Sequence, residues 1–346
     1  MSAAIADFYR VFADFSLKGY APRYEVMVRA AADNAEVIEL VAQAPPEAHV
    51  PNNLHAAARY LTLLDPSLPL AAVYEPDFVG DAGAPFCDLI LSHKAEILEL
   101  LTTRYVQTNE VNRTAAIAPL VNRIAERAQQ SIALIDVGCS GGLNLLLDRY
   151  RIDVGGVALG PVDARLHLQA ENRGAPVSAV PADIAWRRGI DRNPIDLTDP
   201  DEARWLESLV WPDQPERLTR LRAAIEEAQA NPPTLVKVDA VEGLRAALAD
   251  APADLLALVV TTWVVFYFPE DLRREFEAAI LEADRPTAWL AMEMAGVVPG
   301  VDLPPAPDDD DGEVSAMTLV TGGPGREPTR EFLGWTHPHG AWVDLV

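Results

Sequence analysis

The stretch LIDVGCSGGLN (Leu134–Asn144) gathers residue types that can do chemistry: Asp136, glycines at 138, 141 and 142, Cys139 and Ser140. An apolar strand that ends in an acid and breaks into glycines brings backbone N–H groups to its carboxyl end. A helix starting there would add its positive terminus. A triphosphate loop is excluded, because no Gly-Lys-Ser/Thr follows. The dinucleotide pattern G-x-G-x-x-G fits badly, since Ser140 and Leu143 stand where its second and third glycines belong. The elbow G-x-S-x-G does match, as Gly138-Cys139-Ser140-Gly141-Gly142. It would make Ser140 a hydrolase nucleophile, with Asp239 or Glu293 as the acid and His167, His337 or His339 as the base. An elbow has no need of Asp136, whereas a nucleoside-binding turn uses an acid to hold the turn or an amino group of its ligand.

Elements that position this turn can be read on either side of it. Before Leu134 the pattern is helical: Ile5, Phe8, Phe12 and Phe15 recur at intervals of three and four. Further helices are expected over Arg23–Gln43, Asn53–Leu64, Pro85–Val106 and Val111–Gln130, which together suggest a helical cap domain over residues 1–130. From residue 131 to residue 346 short apolar strands alternate with helical stretches, the signature of α/β units on a largely parallel sheet. Strands are expected at Ile132–Val137, Ile184–Ile190, Thr234–Val238, Leu255–Thr261 and Thr287–Met292, with a helix over Leu143–Arg149. Two insertions interrupt the alternation, an irregular hairpin at about 151–183 and a helical one at about 196–230. Ser315–Val320 and the closing residues read as two more strands. The proline-rich loop Gly296–Gly312, with aspartates at 308–311, lacks the spaced ligands of a calcium loop and reads as a solvated connection.

Composition narrows the partners. The 346 residues carry 28 Lys plus Arg against 52 Asp plus Glu, a formal net charge of −24. Such a surface repels phosphate backbones and anionic membranes, and no cluster of basic and aromatic residues offsets it. Two cysteines give neither a disulfide framework nor a C-x-x-C metal pair. No signal peptide is expected at MSAAIADFYRVF, and apolar runs such as Leu255–Phe268 are too short to span a bilayer. The expectation is a cytoplasmic protein with a small-molecule partner, no nucleic acid, no membrane and no metal, and an oligomeric state left open.

LIDVGCSGG resembles the first motif of class I S-adenosylmethionine-dependent methyltransferases, with Asp136, Gly138 and Gly142 matching and Ser140 replacing the middle glycine. The resemblance implies a Rossmann-like methyltransferase-type sheet that binds S-adenosylmethionine. It assigns Asp191, in GID, to the ribose hydroxyls and Asp239, in LVKVDA, to the adenine amino group. It also puts substrate groups near Thr261-Thr262-Trp263 and makes Trp342–Leu345 the closing antiparallel strand. A second resemblance covers nearly the whole chain. RYVQTNEVNR (Arg104–Arg113), DVGCSGGLNLLLDRY, GIDRNPIDLTDPDEARWLESLVWPDQ (Gly189–Gln214) and HPHGAW (His337–Trp342) are similar to an uncharacterised bacterial family known as a domain of unknown function.

Other residues compete for roles. Gln107, Asn109, Glu110 and Arg113 lie between two helices, where Thr108 or Asn109 can cap the second helix and Glu110 support its first turn. Alternatively Glu110 and Arg113 act as catalytic or substrate-clamping groups. His337 and His339 flank Pro338 in a turn that can be structural, contact substrate or supply a general base; a metal would need a third ligand that no spacing provides. The functional expectation is a methyltransferase for a small molecule, in which alignment and desolvation do most of the catalysis. A non-catalytic protein that keeps or has lost the nucleoside pocket is the alternative, and the Ser140 hydrolase is a third.

Overall fold

A computed structural model describes residues 1–107, 109–308, 314–325 and 327–346. The chain is an α/β protein with an N-terminal helical region and a large C-terminal mixed sheet. It divides into two compact units, one formed by Met1–Thr108 with Asp199–Arg222 and the other by Asn109–Thr198 with Ala223–Val346. The helix Arg113–Ala128, read from its pattern with the N-terminal helices, thus groups with the sheet. It is buried on nearly every face, and its Asn122 Oδ1 accepts from the amide of Ala182 in the same unit.

In the helical unit the expected helix Asn53–Leu64 is continuous, as Pro51–Leu64, while the two longer ones, Arg23–Gln43 and Pro85–Val106, are each broken once. Asn34 separates Pro22–Asp33 from Ala35–Val41, its Oδ1 capping the amides of Glu36 and Val37. His93 separates Gly83–Ser92 from Lys94–Thr103. The apolar stripe runs through both breaks, which is why periodicity alone does not reveal them. The core joins Ile5, Tyr9, Tyr24, Met27, Leu54, Phe86 and Ile97. The helix Pro200–Ser208 belongs to this unit through Trp205, which packs with Ala56 and Tyr60 and donates from Nε1 to the Tyr105 carbonyl.

In the other unit the strands are β1 (Ile132–Val137), β2 (Arg151–Val154), β3 (Val157–Leu159), β4 (His167–Asn172), β5 (Ile184–Asp191), β6 (Leu235–Lys237), β7 (Leu256–Thr262), β8 (Thr287–Met294), β9 (Ser315–Gly322), β10 (Thr329–Thr336) and β11 (Trp342–Leu345). They form one sheet in the order β3-β2-β4-β11-β10-β9-β8-β7-β1-β5-β6. The run β6-β5-β1-β7-β8 is parallel throughout. β9, β10 and β11 then alternate in direction, and β4 pairs parallel to β11. The hairpin insertion therefore extends the sheet through β4. β1 is buried at all of its positions, which accounts for its unbroken apolar run. On one face of the sheet Ile135, Val259 and Trp289 pack with Leu244, Phe276 and Ile280.

Candidate functional site

The glycine turn lies at the carboxyl end of β1, next to β5 and β7. Gly138 and Gly142 adopt φ +76° and +71°, in the left-handed region that favours glycine. A Cβ at Gly138 would lie 2.4 Å from Val264 Cγ2, and one at Gly142 would lie 2.7 Å from Leu235 Cδ2. The close approach that demands these glycines is made by the protein's own side chains. Ser140 is itself left-handed, at φ +49°. Its amide donates to Asp191 Oδ2 at 2.8 Å, and its carbonyl accepts from the amide of Ile195 at 3.1 Å. The amides of Gly138 and Cys139 both donate to the Ile190 carbonyl, and that of Gly142 to the Cys139 carbonyl. Most donors of the turn are therefore spent within the fold.

The segment after the turn departs from expectation. Leu143–Arg149 is a short 3-10 stretch kinked at Leu146, so the turn does not lead into an α-helix. The chain turns directly into β2, tied back by Tyr150 Oη, which donates to the Leu143 carbonyl at 2.8 Å. A helix continuing from the turn would have added its positive terminus, and none does so here.

Two acids meet at the turn. Asp136 is fully buried, and burial together with the Asp191 carboxylate pushes its carboxyl up to about 8, opposed by the Asn144 side chain. Its Oδ2 has no hydrogen-bond partner, nor has the buried Ser140 Oγ. No base is hydrogen-bonded to that hydroxyl, so the elbow serine is not activated in this arrangement. Asp191 Oδ1 accepts from the amide of Asn193 at 2.8 Å, so both carboxylate oxygens already hold backbone. Asp239 stands beyond β6, at the start of the helix Ala240–Asp250. Its side chain is 76% exposed and pairs with Arg192 at 3.2 Å.

A second cluster converges on the carboxyl end of β7. Arg113 is buried, donating from Nε to the Pro338 carbonyl at 2.9 Å and from Nη1 to the Thr262 carbonyl at 3.2 Å. Its guanidinium lies 5.9 Å from the Trp263 ring centre. Glu110 is buried too, and its Oε1 accepts from the amide of Asn112 at 3.1 Å. The helix that follows starts at Arg113 with no side-chain cap, and the Asn112 side chain donates from Nδ2 to the Gly340 and Gln169 carbonyls. Of the two expected caps, Asn109 lies three positions before the observed N-cap residue, Asn112, and Thr108 lies outside the described residues. His337 and His339 form the expected turn: His337 Nδ1 accepts from the His339 amide at 3.0 Å, and the rings sit edge to face at 5.5 Å. That contact leaves the proton of a neutral His337 ring on Nε2. Asn144 links the two clusters, accepting from Thr114 Oγ1 and donating to Thr262 Oγ1 at 3.4 Å.

Glu293, at the end of β8, is the residue of the candidate site whose structural job the sequence does not disclose. Buried, it accepts from the amides of Val264, Val265 and Phe266, and so holds the loop after β7. Burial holds its carboxyl above the ordinary value, an effect that those amides and Thr261 offset only in part. Trp263, at φ +59°, is the bulky residue that this loop forces into left-handed backbone. Near Gly141 a cavity of about 260 Å³ is walled by Ile195, Leu197, Pro233 and Leu235, smaller than the roughly 300–1,000 Å³ usual for a drug-sized ligand. Among the described residues no cluster of three or more His, Cys, Asp or Glu could hold a metal, and no helix is long and apolar enough to cross a membrane.

Fold and site together define an α/β protein whose candidate chemistry gathers at the carboxyl ends of its parallel strands. The chain belongs to a family described as "Uncharacterized protein conserved in bacteria (DUF2332)", whose model matches residues 6–345. A comparison with curated proteins finds no match.

Proposed function

We propose that the chain is an S-adenosylmethionine-dependent methyltransferase acting on a small molecule, with a Rossmann-like sheet. The observation that carries this reading is the parallel order β6-β5-β1-β7-β8, with Asp136, Asp191 and Asp239 at or just beyond the carboxyl ends of β1, β5 and β6. Winding reverses between β1 and β7, and ligands of open α/β sheets bind at the carboxyl edge beside such a reversal. The cofactor, when bound, supplies a methyl group on a positively charged sulfur. The unpartnered Asp136 Oδ2 and Ser140 Oγ are buried polar atoms that can accept from an N–H or hydroxyl group of a ligand. Asp191, which holds the Ser140 and Asn193 amides, stands where the ribose hydroxyls would lie, and exposed Asp239, paired with Arg192, stands where the adenine amino group would lie. Gly138 and Gly142 shape the turn. Arg113 stands near Trp263, bonded to the carbonyls of Glu110 and of Pro338 between His337 and His339, and these four residues are the groups for binding or orienting the acceptor.

A second reading, a non-catalytic ligand-binding protein of the same fold, is favoured by specific observations. Val264 and Leu235 cover the glycines, the turn's amides are largely spent, and no α-helix follows it. Calorimetry with S-adenosylmethionine and its demethylated product separates the readings. The enzyme reading expects one-site binding of both, about tenfold weaker in Asp239→Asn, an exposed change that leaves the fold intact (~1.4 kcal/mol). A folded sample that binds neither ligand sinks it.

A further inference from the structure

We infer that Arg59 and His55 form a binding site for the carboxylate of a small monoanionic ligand, set in the helical unit and independent of the methyltransferase reading. The two residues stand one turn apart on the helix Pro51–Leu64 and meet on one partner. The Arg59 guanidinium lies over the Tyr74 ring, 3.7 Å from its centre, and His55 Nε2 lies 3.0 Å from Tyr74 Oη. Both residues are buried, Arg59 at 9% exposure and His55 at 0%. A buried cation ordinarily has a carboxylate against it. Among the described residues none pairs with Arg59, whose interactions in the fold are the Tyr74 ring and a 3.3 Å hydrogen bond from Nη1 to Thr62 Oγ1. Glu207, which acts on it from farther off, is bonded to Arg222 instead.

The histidine adds a donor with the same need. Fully buried and desolvated, the His55 ring is neutral. The Tyr74 hydroxyl has no other hydrogen-bond partner among the described residues, so it donates to Nε2 and the ring proton rests on Nδ1. That Nδ1 has no partner in the fold. A buried N–H without an acceptor, one turn from a guanidinium without a counter-ion, asks for an acceptor that carries negative charge. The guanidinium then selects among anions. Its planar fork of N–H groups matches a carboxylate bidentately, which a spherical ion cannot exploit. One uncompensated positive charge suits a monoanion, whereas a dianion would bring a second negative charge toward Glu75 and Glu207.

The test uses the full chain carrying nitrogen-15 arginine and histidine. The Arg59 Nε resonance is identified by its loss in Arg59→Lys, and the His55 Nδ1 resonance by its loss in His55→Gln. Titration with sodium acetate at constant ionic strength is expected to shift both resonances saturably, with one shared half-saturation point. Sodium chloride and the phosphate dianion are expected to act roughly tenfold less effectively. Arg59→Lys keeps the charge but loses the fork, and is expected to weaken acetate binding, read at His55 Nδ1, by roughly tenfold. Unmoved resonances in the wild-type chain overturn the site, whatever the variants do. So does an Arg59 shift without a His55 shift, an equal response to chloride or phosphate, or undiminished acetate binding by Arg59→Lys. S-adenosylmethionine binding is measured separately, so failure of the methyltransferase reading leaves this outcome untouched.

Discussion

Asp136 is held mostly as the neutral acid at neutral pH, because ionising it would put a charge in a dry site beside the Asp191 carboxylate. Its carboxyl titrates near 8 in the fold and near 4 in the unfolded chain. Below the unfolded value both states are protonated and nothing is lost. As pH rises from about 4 to about 8 the unfolded chain releases this proton first, so stability drains away over that window. Asp136→Asn keeps the shape and removes the titration. It is expected to raise the unfolding free energy from urea titrations above pH 6, by on the order of 2 kcal/mol near pH 8, with little change at pH 4. Equal midpoints at pH 8 would contradict the buried-acid account. At this scale the sequence disclosed the turn, because acid, glycine and apolar strand are neighbours along the chain. It did not disclose Glu293 as the holder of the loop after β7, since its three amide donors lie more than twenty-five positions upstream. Nor could it bring Arg113 to Thr262 and Pro338, which are separated from it by 149 and 225 positions. Positive φ at Trp263 carries no local signature, because tertiary contacts impose it.

Among elements, helix starts show how distant residues complete local structure. The helix Pro22–Asp33 has no cap of its own; Asp213 supplies one, its two oxygens accepting from the amides of Arg23 and Tyr24 at 3.0 Å each. Asp213→Ala leaves both amides without this partner and is expected to cost about 1–2 kcal/mol, read as a lower melting temperature in far-UV circular dichroism. Asn34→Ala, which removes a cap supplied from within the same stretch of chain, is expected to cost about 1 kcal/mol. A null result for Asp213 would mean that solvent serves those amides as well. The alternation of strands and helices after residue 131 was legible because each parallel strand is buried on two faces and reads as an apolar run. The breaks at Asn34 and His93 were not, and neither was the replacement of a helix by the 3-10 stretch after the turn.

For the molecule as a whole, the charge of −24 favours acid conditions in one respect, since protonation relieves self-repulsion. His55 works against that gain. Fully buried and hydrogen-bonded to Tyr74 Oη, it is pulled down to about 3 by desolvation, with Arg59 adding to the effect. The unfolded chain protonates this ring near 6.5, so stability is lost as pH falls from about 6.5 to about 3. His55→Gln is expected to flatten that acid limb in a pH series of melting curves, at some cost in stability near pH 7. A wild-type profile flat between pH 6 and pH 4 would show that another group compensates.

The excursion of Asp199–Arg222 from the sheet unit into the helical one has a consequence for how the protein is made. The first hundred or so residues leave the ribosome as a run of helices, yet their unit lacks Trp205 and the Asp213 cap until Arg222 has been synthesised. By then β1 to β5 have already emerged, while β6 to β11 are still to come. Domains usually fold as units, the N-terminal one first during synthesis. Here that order is interrupted: the helical unit must wait, incomplete, while half of the sheet is delivered. A cut at residue 108 would separate it permanently from a part it needs.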